Sequence, residues 1–92
     1  MQIIGAGSEK EYKLAVVQAD DLLYKTLEER GYEGESFEQL LKNAREKIIP
    51  IFSNILSAHS VRNSIIYEPD YKLDIETAKK IMDLYEKAIK NI

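Results

Sequence analysis

From Ile48 to Tyr67 the chain carries a single formal charge, Arg62, while its other 28 charged residues lie outside that stretch. A helix this poor in charge, in a chain that is 32% charged, is expected to be covered on more than one side. The positions fit a helix over about residues 51 to 67. At about 100° per residue, Phe52, Ile55, Leu56 and Ile66 share a face with His59 and Asn63, and Arg62 lies at the edge of that face. Ser53, Ser57, Ser60 and Ser64 form the opposite flank, without a Lys or Glu among them. Pro50 stops a regular helix from running in from upstream but suits a first turn. Glu68-Pro69 ends the segment, because the residue before a proline is pushed out of the α region.

The rest of the chain supplies helices to pack against it. Ser8-Glu9-Lys10-Glu11 is a capping box, and Tyr12, Ala15, Val16, Ala19, Leu22, Leu23 and Leu27 keep helical spacing as far as Arg30, with Gly31 as the terminator. Tyr32 to Glu35 reads as a turn. Ser36-Phe37-Glu38-Gln39 is a second capping box, opening a short helix through Leu40, Leu41 and Ala44 to near Lys47. Asp74 caps a last helix with the stripe Ile75, Ala78, Ile81, Met82, Tyr85, Ala88, Ile89 and Ile92. No strand period competes. The spacing therefore predicts an all-α fold, a small antiparallel bundle of three long helices and one short one. Residues 1–8, with Gly5 and Gly7, read as a flexible leader and residues 9–92 as the helical domain.

Composition removes several function classes. Cys is absent and there is one His, so disulfides, thiolate sites and a structural zinc are not expected, and neither is a metal or other cofactor. A net charge of −3 gives no general attraction to phosphate. MQIIGAG lacks a basic n-region, and no run approaches a bilayer-spanning length, so the expectation is a cytoplasmic chain with no membrane segment.

The polar groups of the third helix carry the functional question. A buried, unpaired amide or charge costs a few kcal/mol or more, so His59, Arg62 and Asn63 are either paired or face water. Tyr67 follows Asn63 by four residues, so His59, Asn63 and Tyr67 can form a ladder beside Arg62. One reading is structural: a core His and Asn satisfied by backbone and Tyr hydroxyls, with Arg62 bonded to Glu68 or a helix-end carbonyl. The other is a phosphate-directed site, with Arg62 as anion clamp and His59 as proton carrier. Spacing alone leaves both open.

The string Ala58-His59-x-Val61-Arg62-Asn63-x-Ile65-Ile66-Tyr67-Glu68, preceded by Leu14-Ala15-Val16-Val17-x-Ala19-Asp20-x-Leu22-Leu23 and by Arg30-Gly31-Tyr32-x-Gly34-Glu35, resembles bacterial HEPN-like helical domains. The likeness spans about residues 11–92 and is nearest to a group reading A-H-x-V-R-N-x-I-A-H-E. It implies a bundle that often dimerises, with paired Arg/His motifs in a shared cleft. In active members it implies a metal-independent endoribonuclease that directs the 2′-hydroxyl at the adjacent phosphate. Arg62 and Asn63 match the motif, whereas Tyr67 stands where the histidine would be. A Tyr titrates near 10 against about 6.5 for His and is a poor base at neutral pH.

The resemblance thus implies a non-catalytic nucleotide- or RNA-binding or protein-interaction module, with Arg62, Asn63, His59, Tyr67 and Glu68 as binding residues. The alternatives are a ribonuclease using Arg62 with His59 or Tyr67, and an acidic helical antitoxin or inhibitor of a nucleic-acid-binding protein. Ser53, Ser57, Ser60 and Ser64, small enough for close backbone approach, are expected at a homodimer contact. The run Lys42 to Lys47 is locally basic and reads as a solvated helix end. Asp20-Asp21 and Glu28-Glu29 read as surface charge. The six Tyr are expected at bundle edges with ring buried and hydroxyl wet, and Tyr71 is placed to cover the motif.

Overall fold

A computed structural model describes residues 8–92. The expected leader therefore lies, apart from Ser8, outside the described residues. Four α-helices form, with no strand among the described residues: α1 (Glu9–Glu29), α2 (Phe37–Asn43), α3 (Phe52–Tyr67) and α4 (Ile75–Asn91). Two single 3₁₀ turns, Arg45–Lys47 and Ile49–Ile51, join α2 to α3. The architecture is the all-α bundle of three long helices and a short one that the periodicity predicts.

Local chemistry sets the helix ends. Ser8 Oγ accepts from the Glu11 amide at 3.4 Å, and Asp74 Oδ1 from the Thr77 amide at 3.3 Å. At α2, Ser36 Oγ accepts from the Gln39 amide at 3.2 Å, while the Gln39 side chain reaches back to the Glu35 amide at 2.8 Å, one residue beyond the usual partner. α1 closes with Gly31 at φ +89°, the Gly31 amide on the Glu28 carbonyl and the Tyr32 amide on the Leu27 carbonyl. This is a Schellman ending, which glycine alone enters without strain. α2 is shorter than its pattern predicts: α-helical bonding stops at Asn43 and a 3₁₀ turn carries the chain to Lys47.

Contacts along the helices give their directions. Glu9 and Asp20 of α1, and Arg30 just past its end, bond to Leu73, Tyr85 and Ile92 respectively, so α1 and α4 run parallel. Asp20 and Asp21 meet His59 and Arg62, while Lys13 meets Tyr71, so α3 runs against both. Val16, Leu23 and Leu27 of α1, Leu40 and Leu41 of α2, Ile55 of α3 and Ala78, Tyr85 and Ala88 of α4 make up the centre of the core. Leu22, expected in the α1 stripe, is instead 48% exposed. Its neighbour Leu23 holds the inward position, and successive helical residues cannot share one face. No described helix is long and apolar enough to cross a membrane.

Candidate functional site

Asp20 sits on the buried stripe of α1, four residues after Val16 and three before Leu23, and only 2% of it is exposed. The expectation that Asp20 is surface charge is overturned. A carboxylate so placed must be matched by donors, and two other helices provide three of them. Tyr85 of α4 donates its hydroxyl proton to Asp20 Oδ2 at 2.6 Å, and His59 Nδ1 of α3 lies 2.8 Å from the same oxygen. Arg62 Nε is 3.5 Å from Asp20 Oδ1 and Arg62 Nη2 is 3.5 Å from Asp21 Oδ1.

The second ring nitrogen of His59, Nε2, lies 3.2 Å from Glu38 Oε1 of α2. Both ring nitrogens thus face carboxylates, with the closer contact on the Asp20 side. Phe37 lies flat on the imidazole, with centroids 4.0 Å apart and planes 4° from parallel. Because Ser36 caps the turn that carries both Phe37 and Glu38, α2 works as a plate over His59. The cluster therefore ties all four helices together through two buried side chains, Asp20 and His59.

Tyr85 also departs from expectation, since its ring and its hydroxyl are both buried. Burial, and then the Asp20 carboxylate beside it, push the phenol well above its usual range. It stays a donor. Arg62 is half-buried; its Nη1 donates to Asn63 Oδ1 at 3.0 Å. Its Nε, although near Asp20 Oδ1, is buried without a hydrogen-bond partner. The geometry there gives charge attraction without an aligned bond. The partners expected for Arg62, Glu68 or a helix-end carbonyl, are replaced by the two aspartates.

The expected ladder divides at its end. Tyr67 is 75% exposed and Glu68 is exposed, its carbonyl accepting from the Tyr71 amide at 3.0 Å. Neither side chain joins the cluster. Tyr67 lies about 80° round the helix from His59 and falls instead in line with the serine flank. Of that flank, Ser53, Ser57 and Ser60 are exposed and Ser64 half-buried. Tyr71 lies against α1, its carbonyl accepting from Lys13, and beside Ile65.

Three carboxylates, Asp20, Asp21 and Glu38, thus surround one guanidinium and one imidazole. An incoming phosphate would meet net negative charge at this spot. The cluster holds no Ser, Thr, Cys or Lys placed as a nucleophile. No group of three His, Asp or Glu is arranged to hold a metal ion among the described residues. What the arrangement does is fix helices. Of the residues missed from sequence, Asp20, Glu38, Phe37 and Tyr85, Asp20 alone left a readable signal: it is a charge in phase with the apolar stripe of its helix. Comparison of the chain with models of protein families, with curated proteins and with solved structures finds no match to any of them.

Proposed function

We propose that the chain is a dimeric HEPN-like helical domain that acts as a non-catalytic protein-interaction module. The observation that carries this reading is the engagement of both candidate catalytic groups. His59 is held between Asp20 and Glu38, and Arg62 faces Asp20 and Asp21. In a phosphate-directed site those donors would be free to face the ligand. Tyr67, at the motif's histidine position, projects to the outside. These features favour protein interaction over nucleotide or RNA binding.

The dimer is proposed along the outer face of α3. Ser53, Ser57, Ser60, Ser64 and Tyr67 follow one another at intervals of four, three, four and three residues, which is one stripe of a helix. The stripe carries no charge, so two copies related by a two-fold axis bring no like charges together. Small side chains allow close approach, and the exposed Tyr67 adds an amphipathic ring of the kind enriched at interfaces.

The test has two parts on one preparation. Light scattering across a concentration series is expected to give a dimer for the wild type and a monomer for Ser57→Arg. Incubation with a structured RNA in EDTA is expected to leave it intact for wild type and Arg62→Ala. Cleavage by wild type but not by Arg62→Ala would replace this reading with the ribonuclease. A wild-type monomer at high concentration would remove the dimer.

A further inference from the structure

A groove of about 600 Å³ opens between the first turns of α1, the end of α3 and the loop leading into α4. That volume lies in the range of roughly 300–1,000 Å³ typical of small-molecule sites. Its walls are already fixed. Glu9 Oε2 accepts from the Leu73 amide at 2.8 Å, and Lys13 pairs with Glu9 at 3.6 Å while donating to the Tyr71 carbonyl. The loop is thereby fastened to α1 at two points, without covering the space between them.

The lining is divided by chemistry. Leu14, Val17, Ile65 and Tyr71 give it an apolar side, and Leu14 is left 55% exposed where the stripe of α1 turns outward. Lys10 and Lys72 stand at the rim, both exposed and neither in an ion pair among the described residues. Glu9, paired with Lys13 and also facing Lys72, and Asp70 are the two acids of the lining against three lysines. The rim is net positive on a chain whose net charge is −3. Two cations beside an apolar cleft discriminate by charge at the head and by contact along the body.

We infer that this groove binds an amphipathic organic anion of the alkanoate class. The alkyl chain lies against Leu14, Val17, Ile65 and Tyr71, and the carboxylate lies between Lys10 and Lys72. A cleft walled by two helices and a loop, rather than a continuous apolar face, favours a free alkanoate over a membrane surface. The site is separate from the Asp20 cluster and does not depend on the proposed dimer.

The experiment is a titration of the whole chain with decanoate, below its micellar range, followed by amide and methyl NMR shifts and by calorimetry. Decanol, decyltrimethylammonium and anionic phospholipid vesicles serve as comparison probes. Saturable binding is expected, with shifts centred on Val17, Ile65 and Tyr71 and weaker binding of decanol and of the cation. Lys10→Glu with Lys72→Glu changes two exposed side chains and leaves the core intact. At low ionic strength it should weaken decanoate binding by about tenfold or more, and Leu14→Asp should weaken it as well. Equal affinity for decanol, an unchanged constant in the double variant, or shifts scattered away from the groove would each overturn the proposal. Binding of vesicles without binding of decanoate would replace the alkanoate with a lipid surface.

Discussion

α3 and α4 are of nearly equal length, 16 and 17 residues, yet they are held in the bundle by different means. α4 buries an unbroken stripe of Ala78, Ile81, Met82, Tyr85 and Ala88, and its outer side carries the pairs Lys87–Asp83 at 3.1 Å and Lys90–Glu86 at 3.3 Å. α3 buries Ile55, Ala58 and His59. One of its three fully buried side chains is therefore an imidazole ring. Apolar burial spreads a helix's attachment over many contacts, each replaceable at modest cost. A buried charge cluster concentrates it in a few groups that fail together. The residue on which α3 most depends belongs to α1.

The largest expected effect follows from that dependence. Asp20→Ala leaves His59 and the Tyr85 hydroxyl without their shared acceptor and Arg62 without one of its two aspartates, and breaking a buried pair from one side costs about 3–5 kcal/mol. Small domains have only about 5–15 kcal/mol in total, so urea denaturation should find this variant close to unfolding at room temperature. A loss below about 1 kcal/mol would mean that α3 is held chiefly by apolar contact. Asp20→Asn keeps an acceptor for Tyr85 and should fall between the two.

Tyr85→Phe separates the two modes within one residue. The ring keeps its place in the α4 stripe, and only the 2.6 Å bond to the Asp20 carboxylate is lost. Hydrogen bonds to charged groups contribute about 1.5–3 kcal/mol. Combined with Asp20→Ala, the change should add little, because the bond is already gone; full additivity in the double-mutant cycle would show the two groups to be uncoupled.

Gly34→Ala should cost less, about 1–2 kcal/mol, by overpacking. Its added Cβ would sit 2.9 Å from the Leu40 amide nitrogen and 2.9 Å from Gln39 Cβ, at the start of the plate that covers His59. The expected sign is faster amide exchange in α2, with α4 unchanged. Uniform acceleration in all four helices would show that α2 does not move separately from the rest.

The same contrast explains what the sequence made legible. Helix ends at Ser8, Gly31, Ser36, Pro50, Pro69 and Asp74 depend on chemistry within a few residues, so they can be read locally. The α4 stripe is equally plain, because charge and apolarity alternate cleanly at helical spacing. Asp20 was hidden by its company: it is half of an acidic pair in a helix with many charges, and only its phase with Val16 and Leu23 marks it as inward. Arg62 and His59 visibly lacked anions on their own helix. Which of the 16 acidic residues answers them is set by the docking of α1 on α3, which no local pattern records. Tyr67 misled because it is four residues from Asn63 and also three from Ser64, so it adjoins both faces. The fold reads from local signals, whereas the cluster is a product of three long-range contacts meeting on one carboxylate.

The smallest effect lies at the exposed end of the molecule, where α1 is tied to the loop before α4. The Leu73 amide donates to Glu9 and holds its carboxyl below the ordinary 4.5, with Lys13 and Lys72 adding to the shift against partial desolvation. Since the folded value is depressed, the folded chain binds fewer protons than the unfolded one as pH passes through this window. Stability from Glu9 is therefore fully present above about pH 4.5 and is lost as pH falls through the folded value. Asp74, held below its ordinary 3.8 first by the Thr77 side chain and then by the Thr77 amide, titrates in an overlapping window, so a single acid curve would mix the two. Glu9→Gln removes one of them while every other carboxyl is shared with the wild type. The difference in stability between the two proteins should be small and constant from pH 6 to 8 and should shrink below about pH 4.5. A difference that does not change with pH would mean that the Glu9–Leu73 bond does not favour the charged carboxylate. The loop before α4 would then be held by the Lys13 bond to the Tyr71 carbonyl and by the buried Leu73 side chain rather than by a charged carboxylate.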